Sequence, residues 1–318
     1  MDGTNALGEF LRARRELVRP EDVGIRSAGL RRVPGLRREE VAILAGISPD
    51  YYLRLEQGRD RNPSVQVLDA LAAVLRLDAD TSAYLIELAR ERSSRRPGPA
   101  PRKRTAARAE RVPVSIRQLM DGWPANPAYV QNKFSDVLAV NALAAALSPN
   151  YAPGVNLLRA AFLDPADREL RRDWEEATQE GVASLRAHVG PDVDDPRLVE
   201  LVGELSVRSD RFRQLWSRHD VRPKTGRVSR LTHPQVGDID LLSDKLAIGG
   251  TDGLLLVVFH AEPGSRNAEL LAILGSLNAQ GAEGSPGTSA ATATTPATPA
   301  TPATPVGEDA ERRAADEQ

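Results

Sequence analysis

Along the first ninety residues, apolar positions recur at helical spacing in short blocks divided by glycine and proline. Leu7, Phe10, Leu11 and Leu17 form one block, stopped by Pro20, and predict a first helix over residues 5–18. From Arg19 to Leu36 the chain carries Pro20, Gly24, Gly29, Pro34 and Gly35 among several arginines, which predicts a long exposed loop. A second helix is expected from Arg37 to Ala45, with Val41, Leu44 and Ala45 on one face and Gly46 as its break. Ser48 then offers a cap and Pro49 a first helical residue, so a third helix should run to Gln57 and end at Gly58. Ser64 caps a fourth, burying Val67, Leu68, Leu71, Val74 and Leu75, and Asp80 or Thr81 opens a fifth through Tyr84, Leu85 and Leu88. Residues 1–92 read as an all-α domain of five helices.

Residues 93–111 lack periodicity and are rich in Ser, Pro, Ala and Arg, which marks a flexible linker spanning roughly 25 Å. In 112–277 the pattern changes. Tyr129 to Val140 reads as two strands around Lys133 and Phe134, and Asn141 caps a helix through Leu147. Two longer helices are expected, Asp167 to Val189 and Pro196 to Arg218. Three apolar runs, Val228 to Thr232, Ile239 to Leu246 and Leu254 to Phe259, are separated by glycines and read as strands of an antiparallel sheet. Residues 278–318, with their repeated Thr-Pro-Ala unit, cannot bury a core and are expected to be a disordered tail. The fold class is α+β: an all-α domain followed by an antiparallel sheet with helices.

Charge refines this picture more by its distribution than by its sum. The net charge is -2, yet residues 1–92 carry 15 basic and 15 acidic side chains, while 93–111 carry 7 against 1. The basic excess lies in the linker, where the stretch from Arg102 to Arg111 could touch phosphate. The absence of cysteine excludes disulfides and thiolate metal sites and fits a reducing, cytoplasmic setting. His188, His219, His233 and His260 have no metal-ligand spacing, so no metal is expected. No run approaches the roughly 18 apolar residues of a membrane span.

The stretch "LRREEVAILAGISPDYYLRLEQGR" has the parts of a DNA-reading helix pair: an apolar helix, a short turn with glycine, and a second helix with a polar N-terminal face. Val41, Leu44, Ile47, Tyr52 and Leu55 should lock the pair together. Ser48, Asp50, Tyr51 and Arg54 should face outward. The segment resembles the Cro/repressor-type (XRE) helix-turn-helix, and residues 7–88, with "PGLRREEVAILAGISPDYYLRLEQGRDRNPS", resemble the N-terminal domain of MmyB-like transcription regulators. The resemblance implies double-stranded DNA as a partner. It places Ser48, Pro49, Asp50, Tyr51 and Arg54 at the recognition positions, Arg37 and Arg38 at the start of the second helix, and Arg59 and Arg61 near phosphate. Arg54 is the strongest candidate for a base contact, because a guanidinium can pair with guanine in two places. Asp50 fits beside DNA only if it accepts from a cytosine amino group or pairs with a nearby arginine. Proteins of this type commonly bind as homodimers on half-sites one helical turn apart.

Residues 112–277 resemble the second domain of the same family, through "NPAYVQNKFSDVLAVNALAAAL", "NLLRAAFLDPADRELRRDWEEAT", "ELSVRSDRFRQLWSRHDV", "THPQVGDIDL" and "AEPGS". That domain is similar to a PAS-type sensor, which implies an apolar cavity between sheet and helices for a hydrophobic, fatty-acid-like small molecule. Leu138, Val140, Leu147, Phe162 and Phe212 are candidate walls, and Arg208, Arg211 or His233 could meet a carboxylate. Trp174 and Trp216 read as packing anchors. Control by a protein partner docking on this domain is the alternative. An enzyme is not expected: the chain has no GxSxG, HExxH, P-loop or GxGxxG, and "IGGTDG" at Ile248 to Gly253 reads as a hairpin turn.

Overall fold

The computed structural model describes residues 5–25, 31, 33–60, 62–94, 110–190, 193–222 and 226–283. Most of the expected linker and all of the expected tail from 284 onward lie outside these residues. Among the described residues the first domain has five α-helices: α1 (Ala6–Leu17), α2 (Arg38–Leu44), α3 (Pro49–Glu56), α4 (Val65–Val74) and α5 (Ala79–Ser94). Their starts follow the capping residues. Ser48 Oγ accepts from the Tyr51 N–H at 3.1 Å and Ser64 Oγ from the Val67 N–H at 3.3 Å. Gly46, in the α2–α3 turn, has φ +68°, a left-handed conformation that a side chain would strain. Gly8 serves packing instead, since a Cβ there would lie 2.0 Å from the Glu56 carbonyl oxygen, so α1 and α3 can meet closely only at glycine.

Leu7, Phe10, Leu11, Val41, Tyr52, Leu55, Leu71 and Leu85 close a single core. Two expected core positions are elsewhere. Leu17 is 47 % exposed and Val18 is buried in its stead, because α1 ends at Leu17 and the turn to extended backbone redirects the next side chain. Leu44 is 41 % exposed, and α2 packs through Val41 and Ala42. The segment expected as an exposed loop is pinned at both described ends. Pro20–Val23 forms a 3-10 turn, and Leu36 is buried, its N–H donating to the Arg15 carbonyl at 3.1 Å.

The second domain opens with α6 (Val114–Asp121), then β1 (Ala128–Gln131), β2 (Val137–Val140) and α7 (Ala142–Leu147). Before the remaining strands come α8 (Leu157–Leu163), α9 (Pro165–Leu170), α10 (Trp174–Val189), α11 (Pro196–Arg208) and α12 (Asp210–Ser217). The chain closes with β3 (Arg227–His233), β4 (Gly237–Ala247), β5 (Leu255–His260) and α13 (Arg266–Glu283). The strands form an antiparallel sheet in the order β2-β1-β5-β4-β3. Strand alternation divides its side chains between two faces. Tyr129, Leu231, Ile239, Val257 and Phe259 pack against α7 and α13, while Ala128, Val130 and Leu256 pack against Met120 and Ile116 of α6. Helices α8 and α10–α12 hold a cluster of their own around Leu158, Val182, Leu201, Leu205 and Phe212.

Two helices expected as continuous are each divided. The first breaks at residues 171–173, where Arg171 bridges to Leu231 and the Arg172 N–H donates to the Arg230 carbonyl at 3.0 Å. Sheet pairing takes the backbone away from the helix. The second breaks at Ser209, whose backbone is extended and whose Oγ accepts from the Phe212 N–H at 3.2 Å.

The domains meet through the segment after α12. Asp220 takes the Arg14 guanidinium at 2.7 Å, Thr81 Oγ1 donates to the Val221 carbonyl at 3.3 Å, and the Val221 side chain is buried in the first domain's core.

Candidate nucleic-acid interface and ligand sites

Helix α3 separates its residues cleanly. Tyr52, Leu55 and Glu56 are buried against α1 and the core, whereas Ser48, Pro49, Asp50 and Arg54 are exposed and Tyr51 is half-buried. The Arg54 guanidinium lies 5.6 Å from the Tyr51 ring centroid and 3.5 Å from Asp60, a loose pairing that leaves its donors available. Asp50 has no ion pair among the described residues. It occupies the first turn of α3, where the partial positive charge of the helix N-terminus stabilises a carboxylate.

The flanking arginines differ in role. Arg37 is exposed, and its backbone N–H donates to Glu40 Oε2 at 2.7 Å. Arg31 holds the same Glu40 carboxylate at 2.6 Å and, with that N–H, lowers its pKa. Arg38, by contrast, is tied to the fold: its Nε donates at 2.5 Å to Glu56, a buried carboxylate that also takes Arg15 Nε at 2.7 Å. Arg59 is exposed just beyond α3. Arg61 lies outside the described residues. The lock formed by Arg15, Glu56 and Arg38 has no simple signal in the sequence, since it joins α1, α3 and α2 across 41 and 18 positions.

The candidate ligand residues are not brought together. Leu138 packs with the cluster on the α6 face of the sheet, Val140 and Leu147 with the opposite cluster, and Phe162 and Phe212 with the helical cluster, their rings edge to face at 5.2 Å. Arg208 is exposed and pairs with Glu204 one turn away. Arg211 donates to Thr178 Oγ1 at 2.9 Å and to the Glu175 carbonyl at 2.7 Å, and lies over Trp174. His233 is buried, with Nε2 3.0 Å from the Ala146 carbonyl.

Two cavities among the described residues are lined by other residues instead. One, of about 80 Å³, lies between sheet and helices beside Tyr129, Tyr151, Leu158, Ala161, Arg171 and Arg227. Its guanidiniums are already matched: Arg171 with Asp167 and the Tyr151 hydroxyl, Arg227 with Asp173 and Glu180. The other, of about 320 Å³, lies at the junction of the domains, with walls from α1, α5 and α10–α12. Neither includes a candidate ligand residue from the sequence. Both are built by residues distant along the chain, so neither could be read from local spacing.

The comparisons with known proteins agree with this architecture. Residues 6–85 match a helix-turn-helix domain model, and residues 112–274, just over half the chain, match the MmyB-like transcription regulator ligand binding domain. No curated protein matches the chain. Among the described residues, no helix is long and apolar enough to cross a membrane. With a helix-turn-helix domain followed by that ligand-binding domain, the chain belongs to the MmyB-like transcription regulators.

Proposed function

We propose that the protein binds specific sites in duplex DNA as a homodimer, reading bases with the N-terminal face of α3, and that a hydrophobic, fatty-acid-like small molecule in the second domain modulates this binding. The observation that carries the DNA half is the exposure of Ser48, Pro49, Asp50 and Arg54, with Tyr51 half-buried beside them, on a helix whose Tyr52, Leu55 and Glu56 are fixed in the core. Arg54 reads a base, while Arg37 and Arg59 contact phosphate. Arg38 acts mainly by holding Glu56. Selection of bound duplexes from a random library should return a two-fold symmetric motif. On that motif Arg54→Ala should lose about 1–3 kcal/mol and relax preference at one base pair. Arg59→Ala should weaken binding to all sequences and flatten the salt dependence by about one unit. Equal losses for both variants on specific and random duplexes would refute the division.

The ligand half rests on the family domain and its apolar clusters. The sheet–helix cavity is too small for an alkyl chain as it stands, so entry there requires its wall residues, among them Leu157, Leu158 and Ala161 of α8, to shift. We read the domain as a binder without chemistry. Asp238 and Asp240, the paired acids of β4, are held by Thr232 and Arg172. Solvent extraction of the purified protein with mass spectrometry, followed by thermal shift with the species found, tests this half. No extracted species, and no shift with any apolar ligand, would count against it.

A further inference from the structure

Arg186, in the last turn of α10, is a buried cation with no ion pair among the described residues. It is 5 % exposed, and the acceptors it meets are neutral: His219 Nδ1 at 3.1 Å, the Trp216 carbonyl at 2.7 Å, and the Tyr84 hydroxyl. Its Nε has no acceptor. Glu9 and Asp220 act on it from a distance without an ion pair among the described residues, and Asp220 is taken by Arg14 at 2.7 Å and Arg218 at 3.1 Å. Arg14 and Arg218 are thus paired with Asp220, and Arg186 is left without an ion pair among the described residues. A buried cation in such a place favours an anion beside it. In the sheet–helix cavity, by contrast, Arg171 and Arg227 are each held by carboxylates of the chain.

Arg186 also lines the cavity of about 320 Å³, whose other walls are mainly apolar, among them Leu198, Val199, Val202 and Trp216, with the exposed Glu9 of α1 also part of the lining. This volume falls in the range of small-molecule pockets. The Trp216 ring is covered by Arg186 at 3.9 Å on one side and stacked with Phe212, so these walls are preorganised. We infer that the junction cavity is a binding site for a compact apolar acid, its carboxylate paired with Arg186 and its hydrocarbon part against α11, and that the occupant joins the two domains. The site is separate from the sheet–helix cavity of the proposed ligand reading and does not depend on it.

The test uses the full chain, with octanoate as probe and octanol as the uncharged match, followed by calorimetry and thermal shift. Gly203 of α11 lines the cavity, and a Cβ there would meet nothing within 4 Å, so Gly203→Phe should fold and fill the space. Ala161→Leu fills the other cavity. Octanoate should bind saturably and raise the unfolding midpoint, octanol should bind at least about tenfold more weakly, and Gly203→Phe should lose at least about tenfold while Ala161→Leu loses nothing. Equal binding of octanol, undiminished binding to Gly203→Phe, or no binding of octanoate would each overturn the inference. Loss confined to Ala161→Leu would overturn it too, while leaving the sheet–helix ligand reading in place.

Discussion

In the DNA-binding domain Glu56 is buried and clamped by two guanidiniums, whereas Arg186, at the junction with the ligand-binding domain, is buried among neutral acceptors. The first arrangement is closed: both guanidiniums reach the Glu56 carboxylate, and α1, α2 and α3 are fixed to one another through it. The second is open. A fixed head suits a surface that must present Ser48, Asp50 and Arg54 in one geometry, because base readout depends on placement. An unmatched buried charge is tolerated only while neighbouring dipoles support it, so its surroundings respond to whatever enters. Rigidity and responsiveness are thus distributed between the two regions.

The strongest test of the closed arrangement is Glu56→Ala. It leaves Arg15 buried with only the half-exposed Glu16, 3.6 Å away, as a carboxylate partner, and should destabilise the chain by about 3–5 kcal/mol, read as a lower midpoint in urea. Glu56→Gln, which keeps an acceptor, should lose less. A loss under about 1 kcal/mol for the alanine variant would show that the clamp is dispensable and that the contrast with Arg186 is one of appearance.

The open arrangement makes a prediction in pH. Burial first, then the positive charges of Arg186 and Arg14, lower the His219 pKa from 6.5 to about 3, which agrees with Nδ1 accepting from Arg186. The unfolded chain therefore binds a proton that the folded chain refuses between those values. The contribution of His219 to stability is complete above about pH 6.5 and is lost as the pH falls toward 3. Between pH 7 and pH 5 this amounts to about 2 kcal/mol. His219 has φ +52°, a conformation that asparagine accepts, and His219→Asn keeps an acceptor for Arg186 without a titrating group. Urea midpoints at the two pH values should converge in the variant relative to the parent. Identical pH dependence in both would remove His219 from the argument.

The same contrast explains what could be read from the chain. The helix-turn-helix is local: Ser48, Pro49 and Gly46 each act on backbone within a few residues, so α2, α3 and their outward face were legible from spacing. Asn141 was legible as a cap, its Oδ1 accepting from the Ala144 N–H at 3.0 Å, but not as the residue that also binds the Ala128 N–H and the Asn126 carbonyl. The breaks at residues 171–173 and 209 were hidden because apolar periodicity runs through them, and the first depends on pairing with a strand sixty positions away. Helix α13 lies where the composition turns toward small residues, which masked it. Cavity walls were illegible for the same reason, since Ala6, Tyr84, Arg186 and Trp216 converge only in the folded chain.

The smallest expected effect separates two roles of one residue on the DNA-reading side. Ser48 caps α3 and is also a candidate contact at its tip. Ser48→Ala removes both, and should cost about 1 kcal/mol of stability together with some affinity. Ser48→Asp keeps the cap, because a carboxylate accepts the same N–H and suits the helix N-terminus, but sets a second negative charge beside Asp50. Its stability should match the parent within about 0.5 kcal/mol while its affinity for DNA falls further than that of the alanine variant, with a shallower gain in affinity as salt is removed from the buffer. If instead Ser48→Asp binds DNA as the parent does, the tip of α3 lies away from the phosphates and the reading surface must be moved along the helix toward Arg54.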